Sequence, residues 1–373
     1  MSNSESLRRS PLHAEHEVLG ASFTPFGQWS MPLKYGKELD EHRAVRTSAG
    51  LFDLSHMGEV RVTGPQAAEF LDYALVSQLS ALAVGRAKYS MIVRPDGGIL
   101  DDLITYRLGD DEFLVVPNAS NTDTVVAALH ERAEDFDVTL ADESTQTALI
   151  AVQGPQAEEI VRTLLAQQDH ETLHALKYYA AFSTEVAGIP NVLVARTGYT
   201  GEDGFELFTP NATASTLWAA AVEAGRPHDL RPAGLAARDS LRLEAAMPLY
   251  GNELSVNITP IDAGLGVLIS KKKSGDFVGR EALSTVEQPV RILVGLASEG
   301  KRAARAGAAV LSPEGSEIGV VTSGQPSPTL GHPIALAYVD RTLATPGAEL
   351  TVDIRGKHYP FHVVETPFYR RSR

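Results

Sequence analysis

An internal repeat is the feature of this sequence that most restricts its fold. Residues 62–67 read VTGPQA and residues 152–157 read VQGPQA. In both copies an apolar run leads through Gly-Pro into a helical pattern, which predicts a strand followed by a helix. Because proline at the first helical position loses no hydrogen bond, we expect Pro65 and Pro155 at that position.

The repeat continues beyond the first helix. Matched pairs of segments lie farther along the two copies: 109–113 with 201–205, 117–119 with 210–212, and the helical patterns 122–129 with 214–221. Each copy therefore predicts the order strand, helix, strands, helix. Two such α/β units packed face to face predict an α+β body with a cleft near a pseudo-twofold axis.

The pattern of the chain changes near Pro289. Short apolar runs punctuated by Gly and Pro predict strands over 291–296, 317–321, 334–339 and 349–354. We therefore expect a separate C-terminal all-β domain, a small β-barrel. The predicted domains are 1–140, the first repeat with an N-terminal segment; 141–288, the second repeat and a connector; and 289–373, the barrel.

Charge and composition argue against several function classes. Lys and Arg number 33 against 47 Asp and Glu, a net charge of −14, whereas nucleic-acid binding needs clustered cations for phosphate contacts. Cysteine is absent and the 11 histidines lack metal-binding spacing, so we expect no disulfide, metal or thiol nucleophile. No apolar run is long enough for a membrane span. The polar segment Met1–Arg9 is unlike a signal peptide, so we expect a cytoplasmic location.

Two adjacent carboxylates are the first candidates for chemistry. Asp101 and Asp102 follow the turn 95–98, PDGG, which predicts a hairpin. On the outgoing strand, period two places Asp102 on the more apolar face, together with Ile104 and Tyr106. An ionised carboxylate on that face needs a partner or a raised pKa. The open alternative is an edge-strand acid turned to water.

Glu206 and Arg238 form the second candidate group. Glu206 ends the glycine-rich segment 197–206 between two apolar residues, and Arg238 is expected on a helix that starts at Pro232. The two side chains can pair with each other or take separate parts of one ligand. The alternatives are a solvent-facing Glu206 and an exposed Arg238 that Asp239 neutralises.

Two weaker signals complete the candidates. His56 in the segment Ser55-His56-Met57-Gly58 is expected to be structural, and no Ser–His–Asp set can be assembled. Lys271, Lys272 and Lys273 are the nearest feature to a basic cluster, and we expect them in a solvated loop.

The sequence resembles the aminomethyltransferases of the glycine cleavage system, the T-protein family, over essentially its whole length. The matching segments are GLFDLSHMG at 50–58, GGILDDL at 97–103, RTGYTGEDGFE at 196–206, RPAGL at 231–235 with Arg238-Asp239, and TSG at 322–324 with SPTLG at 327–331. The resemblance implies a three-domain cloverleaf, in which two pseudo-repeated α/β units form a folate cleft beside a C-terminal β-barrel domain.

The resemblance also implies a reaction. An aminomethyl group on the lipoyl arm of the H-protein loses ammonia, and its one-carbon unit passes to tetrahydrofolate as methylene-tetrahydrofolate. The implied catalytic residue is Asp102, which orders the nitrogens that receive the carbon or assists proton movement. The implied substrate- and cofactor-binding residues are Asp101, Met57, Tyr89, Asn118, Tyr199, Glu206 and Arg238. Glu206 is implied to accept pterin N–H groups and Arg238 to suit the glutamate tail; no metal is implied.

Two positions depart from the family pattern. They are Gln28, where the family usually has glycine, and Val267 in the connector, and neither is an implied site residue. The alternative function is a folate-dependent demethylase of the same superfamily, which would use the same folate residues with another methyl donor. The H-protein must dock where its arm enters, and the lysines at 271–273 are the candidate patch for attracting it.

Overall fold

The computed structural model describes residues 7–285 and 288–371, so most of the polar segment Met1–Arg9 lies outside the described residues. The chain divides into two compact units. Unit 1 comprises Met1–Ala68, Ala81–Lys88 and Ile104–Arg238, and unit 2 comprises Glu69–Ser80, Tyr89–Leu103 and Asp239–Arg373. Within the described ranges, no helix is long and apolar enough to cross a membrane.

The helices and strands are numbered here in chain order, for the described residues. The α-helices are α1 His13–Val18, α2 Glu38–Thr47, α3 Ala67–Ala74, α4 Thr122–Arg132, α5 Ala157–Thr163, α6 His170–Ala175, α7 Ala214–Gly225, α8 Leu235–Glu244 and α9 Arg280–Thr285. The strands are β1 Arg8–Arg9, β2 Ser22–Phe26, β3 Trp29–Lys34, β4 Gly50–Asp53, β5 Val60–Thr63, β6 Ala87–Val93, β7 Ile99–Gly109, β8 Glu112–Pro117, β9 Thr139–Asp142, β10 Thr147–Gln153, β11 Ala181–Val186, β12 Ile189–Ala195, β13 Gly204–Pro210, β14 Arg231–Pro232, β15 Arg291–Ala297, β16 Ala309–Leu311, β17 Glu317–Pro326, β18 Pro333–Asp340, β19 Glu349–Asp353 and β20 His358–Val364.

Both copies of the repeat have the predicted order of strand, helix, strands and helix. In the first copy β5 leads to α3, then β6, β7 and β8, and then α4. In the second copy β10 leads to α5, then β11, β12 and β13, and then α7, with the short helix α6 added after α5. The predicted mixed fold is therefore confirmed at the level of its elements.

The Gly-Pro steps of the repeat differ from the prediction in one respect. Helices α3 and α5 begin at Ala67 and Ala157, so Pro65 and Pro155 lie in the preceding turn and not at the first helical position. The turn needs glycine: Gly64 has φ +130° and its counterpart in the second copy has φ +137°. A Cβ at either glycine would come within 3.0 Å of a backbone carbonyl oxygen. The two copies of the repeat thus share a glycine with positive φ, a backbone conformation that residues with a Cβ rarely adopt.

Unit 1 is built around a six-stranded sheet in the order β11-β12-β13-β10-β4-β14. Strand β10 is antiparallel to β13 on one side and to β4 on the other. Helices α5 and α7 contribute to the same buried core as this sheet, through Ile160, Val161, Leu217 and Trp218. Each such side chain contributes about 1.5–3 kcal/mol by leaving water. Unit 1 also holds the three-stranded sheet β1-β3-β2.

The predicted helix start at Pro232 is wrong, because the backbone N–H groups of Arg231, Ala233 and Gly234 donate to other segments of the chain. Arg231 and Pro232 form β14, which pairs in parallel with β4. The N–H of Ala233 donates to the carbonyl of Leu51 at 2.9 Å, and the N–H of Gly234 donates to the Glu41 carboxylate at 3.0 Å. Helix α8 therefore begins only at Leu235.

The remaining sheet has the order β6-β7-β8-β5-β9. Strand β7 has a neighbour on each side, and its residues Ile99–Leu103 belong to unit 2 while Ile104–Gly109 belong to unit 1. The hairpin predicted around the turn 95–98 is confirmed: Gly97 has φ +87°, and the Arg94 N–H donates to the Gly98 carbonyl at 2.8 Å.

Unit 2 contains the predicted C-terminal barrel. Six strands close in the order β15-β18-β17-β16-β19-β20, and β15 pairs with both β18 and β20. The sequence prediction missed β16 and β20. Strand β16 has only three residues, and β20 contains Pro360, which weakens a strand signal because proline cannot donate to the ladder.

The lysine loop, residues 271–273 of unit 2, is only partly exposed to solvent, because the third lysine is buried. Lys271 and Lys272 are exposed, but Lys273 is 5% exposed. Its ammonium donates to the carbonyl oxygens of Asp72 and Leu75 at 2.5 and 2.6 Å. The expectation that all three lysines are solvated is therefore wrong for Lys273.

We expect Lys273→Met to lower the free energy of unfolding by about 2–3 kcal/mol, because two buried carbonyl groups lose a charged donor. Lys272→Met is the matched control and should unfold within about 0.5 kcal/mol of the parent, since an exposed lysine makes little net contribution. Urea unfolding followed by circular dichroism gives both values. Equal stability of the two variants would contradict a structural role for Lys273.

Candidate functional site

Glu206 is held in unit 1 by two hydroxyl groups. It lies on β13, opposite Ala151 of β10, and is 8% exposed, so the solvent-facing alternative is wrong. Thr197 Oγ1 and the Tyr106 phenol both donate to Glu206 Oε2, the phenol at 3.3 Å, and the two hydroxyls lie 3.0 Å apart. Both bonds end on Oε2, which leaves Oε1 as the oxygen for a ligand.

The surroundings of Glu206 pull its pKa in opposite directions. Burial raises the pKa of Glu206 above its ordinary value, while the Thr197 hydrogen bond and the charge of Arg238 oppose that rise. The same burial raises the pKa of Tyr106 well above its ordinary value, and the Glu206 charge adds to this effect. Tyr106 therefore keeps its proton and remains a donor to Glu206.

Arg238 stacks on an aromatic ring. Its guanidinium carbon lies 4.7 Å from the centre of the Tyr199 ring, a cation–π geometry that orients the planar guanidinium. Both side chains are half-buried, so the alternative of a fully exposed Arg238 is wrong. The arginine charge also acts on Glu206 and on His56, whose pKa values it lowers.

Met57 and Asn118 lie on two segments that a backbone hydrogen bond joins. The Gly58 N–H donates to the carbonyl of Pro117 at 3.1 Å. A Cβ on Gly58 would lie 2.6 Å from Thr122 Oγ1, so only glycine permits this approach. The side chains of Met57 and Asn118 are both half-buried.

His56 is a neutral histidine in the interior of unit 1. Burial, with the Arg238 charge as a second cause, lowers the pKa of His56 to about 3. Neither ring nitrogen has a hydrogen-bond partner among the described residues, and the Phe26 ring packs against the imidazole edge-on with ring centres 5.5 Å apart. His56 therefore carries no charge at neutral pH, which agrees with a structural residue.

The aspartate pair of unit 2 is buried. Asp101 is fully buried and Asp102 is 9% exposed. Strand β7 lies between β6 and β8, so the alternative of an edge-strand Asp102 turned to water is wrong. The Tyr89 phenol donates to Asp102 Oδ2 at 2.9 Å. This bond fixes the orientation of the Asp102 carboxylate.

A second tyrosine of unit 2 lies in the field of both aspartates. Burial raises the pKa of Tyr250, and the charges of Asp101 and Asp102 raise it further. The Tyr250 phenol donates to the Ile99 carbonyl at 3.2 Å. Since the two aspartates are consecutive on a strand, their side chains point to opposite faces, and Asp102 is the one of the two with measurable exposure.

Three side chains near the candidate site residues were not identified as candidates from the sequence. Thr197 belongs to the motif that contains Glu206, Tyr106 follows Asp102 on the same strand face, and Tyr250 had no signal at all. The hydrogen bond between Tyr106 and Glu206 joins strands of two different sheets, so it can be recognised only when the tertiary structure is known. Among the described residues, no group of three His, Cys, Asp or Glu could hold a metal ion.

The arrangement in unit 1 suits a ligand with N–H donors and an anionic group. A carboxylate with one free oxygen can accept such donors, and a stacked arginine can bind a carboxylate. In unit 2, the oriented Asp102 carboxylate can accept a hydrogen bond that positions a nitrogen of a ligand, or it can transfer a proton.

Comparisons with known proteins give one result. The family described as GCVT N-terminal domain matches residues 12–273, and the glycine cleavage T-protein C-terminal barrel domain matches residues 291–370. Relatives named aminomethyltransferase include one from Corynebacterium aurimucosum, 58% identical with 98% of each chain covered. Another, from Corynebacterium jeikeium, is 56% identical over 98% of this chain and 99% of the relative.

A solved structure agrees with the sequence relatives. The crystal structure of glycine cleavage system aminomethyltransferase T from Bartonella henselae is 38% identical, with a TM-score of 0.90 and 98% of each chain covered. The chain belongs to the aminomethyltransferase family, the T-proteins of the glycine cleavage system.

Proposed function

We propose that the protein is the aminomethyltransferase of a glycine cleavage system. Its donor is the aminomethyl group on the lipoyl arm of an H-protein, and its acceptor is tetrahydrofolate. The C–S and C–N bonds of the S–CH2–NH2 group break, two C–N bonds form to the folate, and the products are ammonia, the lipoyl thiol and methylene-tetrahydrofolate. The observation that carries this proposal is the family match over both halves of the chain.

The direct test is formation of methylene-tetrahydrofolate and ammonia from tetrahydrofolate and aminomethyl-loaded H-protein. Product formation from a methylated amine, with none from the loaded H-protein, would overturn the proposal in favour of a demethylase. We also propose a cytoplasmic location, which cell fractionation would check.

We assign Asp102 the role of ordering the nitrogens that receive the carbon, or of moving a proton at those nitrogens. The hydrogen bond from Tyr89 supports this assignment, because it orients the buried carboxylate. Asp101, the neighbour of Asp102 on the same strand, is proposed as a substrate- or cofactor-binding residue.

We assign the folate contacts of unit 1 to Met57, Asn118, Tyr199, Glu206 and Arg238. Glu206 accepts pterin N–H groups on its free oxygen, and Thr197 with Tyr106 holds the other oxygen in place. Arg238 binds the anionic glutamate tail, with its guanidinium oriented by Tyr199.

Asp102→Asn keeps the shape of the side chain but removes its charge and basicity. We expect turnover to fall by roughly 10²–10⁴-fold, with the dissociation constant for tetrahydrofolate within about threefold of the parent. Tyr89→Phe is the matched control, and it should lose less activity because the carboxylate remains. Near-normal turnover of a folded Asn variant would rule out the role of Asp102.

Glu206→Ala should weaken tetrahydrofolate binding by about 2–4 kcal/mol, since buried donors of the ligand lose a charged acceptor. Because the pKa of Glu206 is raised by burial, the parent should bind more weakly as the pH falls through that pKa, and Glu206→Gln should lose this dependence. Calorimetric titration measures both effects. An unchanged dissociation constant in the Ala variant would contradict the assignment.

We propose that an H-protein docks on the protein, and that exposed lysines attract it. Since Lys273 is buried, only Lys271 and Lys272 remain available from the loop. Changing both to Gln should slow association by roughly tenfold at low salt and flatten its salt dependence, with folate affinity unchanged. An association rate with the parent's salt dependence would exclude the loop as the attracting patch.

A further inference from the structure

Unit 1 contains a surface cavity that none of the assigned residues lines. Its volume is about 530 Å³, within the range of small-molecule pockets. Both repeats contribute walls, from β5 and β8 in the first copy and from β10, β12 and β13 in the second. Residues Leu108, Leu114, Leu193 and Phe208 line part of the cavity and give the carbon body of a small organic molecule apolar surface to pack against.

Glu59, one of the residues that line this cavity, has a buried carboxyl group without a hydrogen-bond partner among the described residues. Glu59 is fully buried, and neither of its carboxyl oxygens has a hydrogen-bond partner among the described residues. Its backbone is fixed by the adjacent turn: the Glu59 N–H donates to Ser144 Oγ at 2.9 Å, and its carbonyl accepts from the Glu143 N–H at 2.8 Å. Leaving such a group unpaired is unfavourable, and a ligand that pairs with it would offset that cost.

The charges around Glu59 are mainly negative. Arg61 is the cation of the cavity wall, and its guanidinium binds both oxygens of Glu143 at 2.7 and 2.9 Å and also Glu112. Its charge is therefore neutralised by two carboxylates. Burial, with the charges of Asp142 and Glu143, raises the pKa of Glu59 well above its ordinary value. Burial and the neighbouring charges thus favour the protonated form of Glu59, beside an excess of negative charge.

We propose that this cavity is a second binding site and that it takes an organic cation, an amine with an apolar body. An ammonium group donates three hydrogen bonds and meets the acceptor-rich side of the cavity, whereas an anion would face the carboxylates. A bare metal ion is disfavoured, because no group of three His, Cys, Asp or Glu among the described residues could hold one. Asn191, which is exposed, also lines the cavity, and its amide can orient polar parts of the ligand.

Binding of the ammonium is coupled to ionisation of Glu59. The cation favours the carboxylate form, so the Glu59 O–H proton leaves to the buffer as the ion pair forms. Below the pKa of Glu59 the affinity therefore rises with pH, by up to about tenfold per pH unit, and it levels off above that pKa. The amine itself stays protonated throughout, since alkylammonium groups titrate near pH 10.

The probe is 2-phenylethylammonium, with uncharged 2-phenylethanol as its matched analogue. Titration calorimetry of the full chain at about pH 7, in two buffers of different ionisation enthalpy, measures affinity and proton release together. We expect release of up to one proton per bound amine and at least tenfold weaker binding of the alcohol. Glu59→Gln should abolish the proton release and weaken amine binding by about tenfold or more, with aminomethyl transfer at the parent level.

A second variant keeps the proposal testable if Glu59→Gln does not fold. Leu108→Trp fills the cavity and leaves Glu59 in place, so it should abolish amine binding. Three results would overturn the proposal: no binding of the amine to the parent, equal binding of the alcohol, or proton release that persists in the Gln variant. None of these results bears on the proposed transferase function, which the folate and H-protein assays test separately.

Discussion

The double pairing of strand β10 is the constraint on which unit 1 depends. Its antiparallel ladder with β13 runs over the whole strand, and on its other edge it pairs with β4. Ala151 therefore lies between Glu206 on one neighbour and Phe52 on the other. The ladder fixes Glu206 in the interior and leaves the segment after β4, which carries His56 and Met57, next to the same sheet. A slip of one residue would turn Glu206 to the opposite face.

Much of the fold could be predicted, because the Gly-Pro steps and the apolar patterns can be read from short segments and because the repeat shows them twice. Element types and the barrel were recovered, and the family was recognised from motifs over the whole chain. The errors arose where tertiary contacts override local pattern. The backbone of residues 231–234 pairs with β4 and with Glu41, and the Lys273 ammonium donates to carbonyl oxygens of a segment far away in the sequence. Neither contact can be recognised from the adjacent residues in the sequence.

The site residues were harder to judge, because alternation along a strand does not say whether the second face is exposed. Glu206 and Asp102 lie among apolar residues in the sequence. Such a pattern is usually interpreted as a strand with one buried face and one solvent-exposed face. Here both strands are interior to their sheets, and the rest of the protein covers the faces that carry Glu206 and Asp102, since both carboxylates are buried. Three of the buried acids differ in their surroundings: two hydroxyls donate to Glu206, the Tyr89 phenol donates to Asp102, and neither oxygen of Glu59 has a hydrogen-bond partner among the described residues. Their roles as ligands of substrate stay predictions.

The closed barrel of unit 2 restricts how other chains can associate with it. A sheet with free edges offers unpaired N–H and C=O groups, to which a foreign strand can be added. Each of the strands β15 to β20 already has two neighbours, so a strand of a partner chain has no free barrel edge to pair with. Recognition on this part of the protein must use side chains and loop backbone, and the same closure removes the edges from which β-aggregation starts.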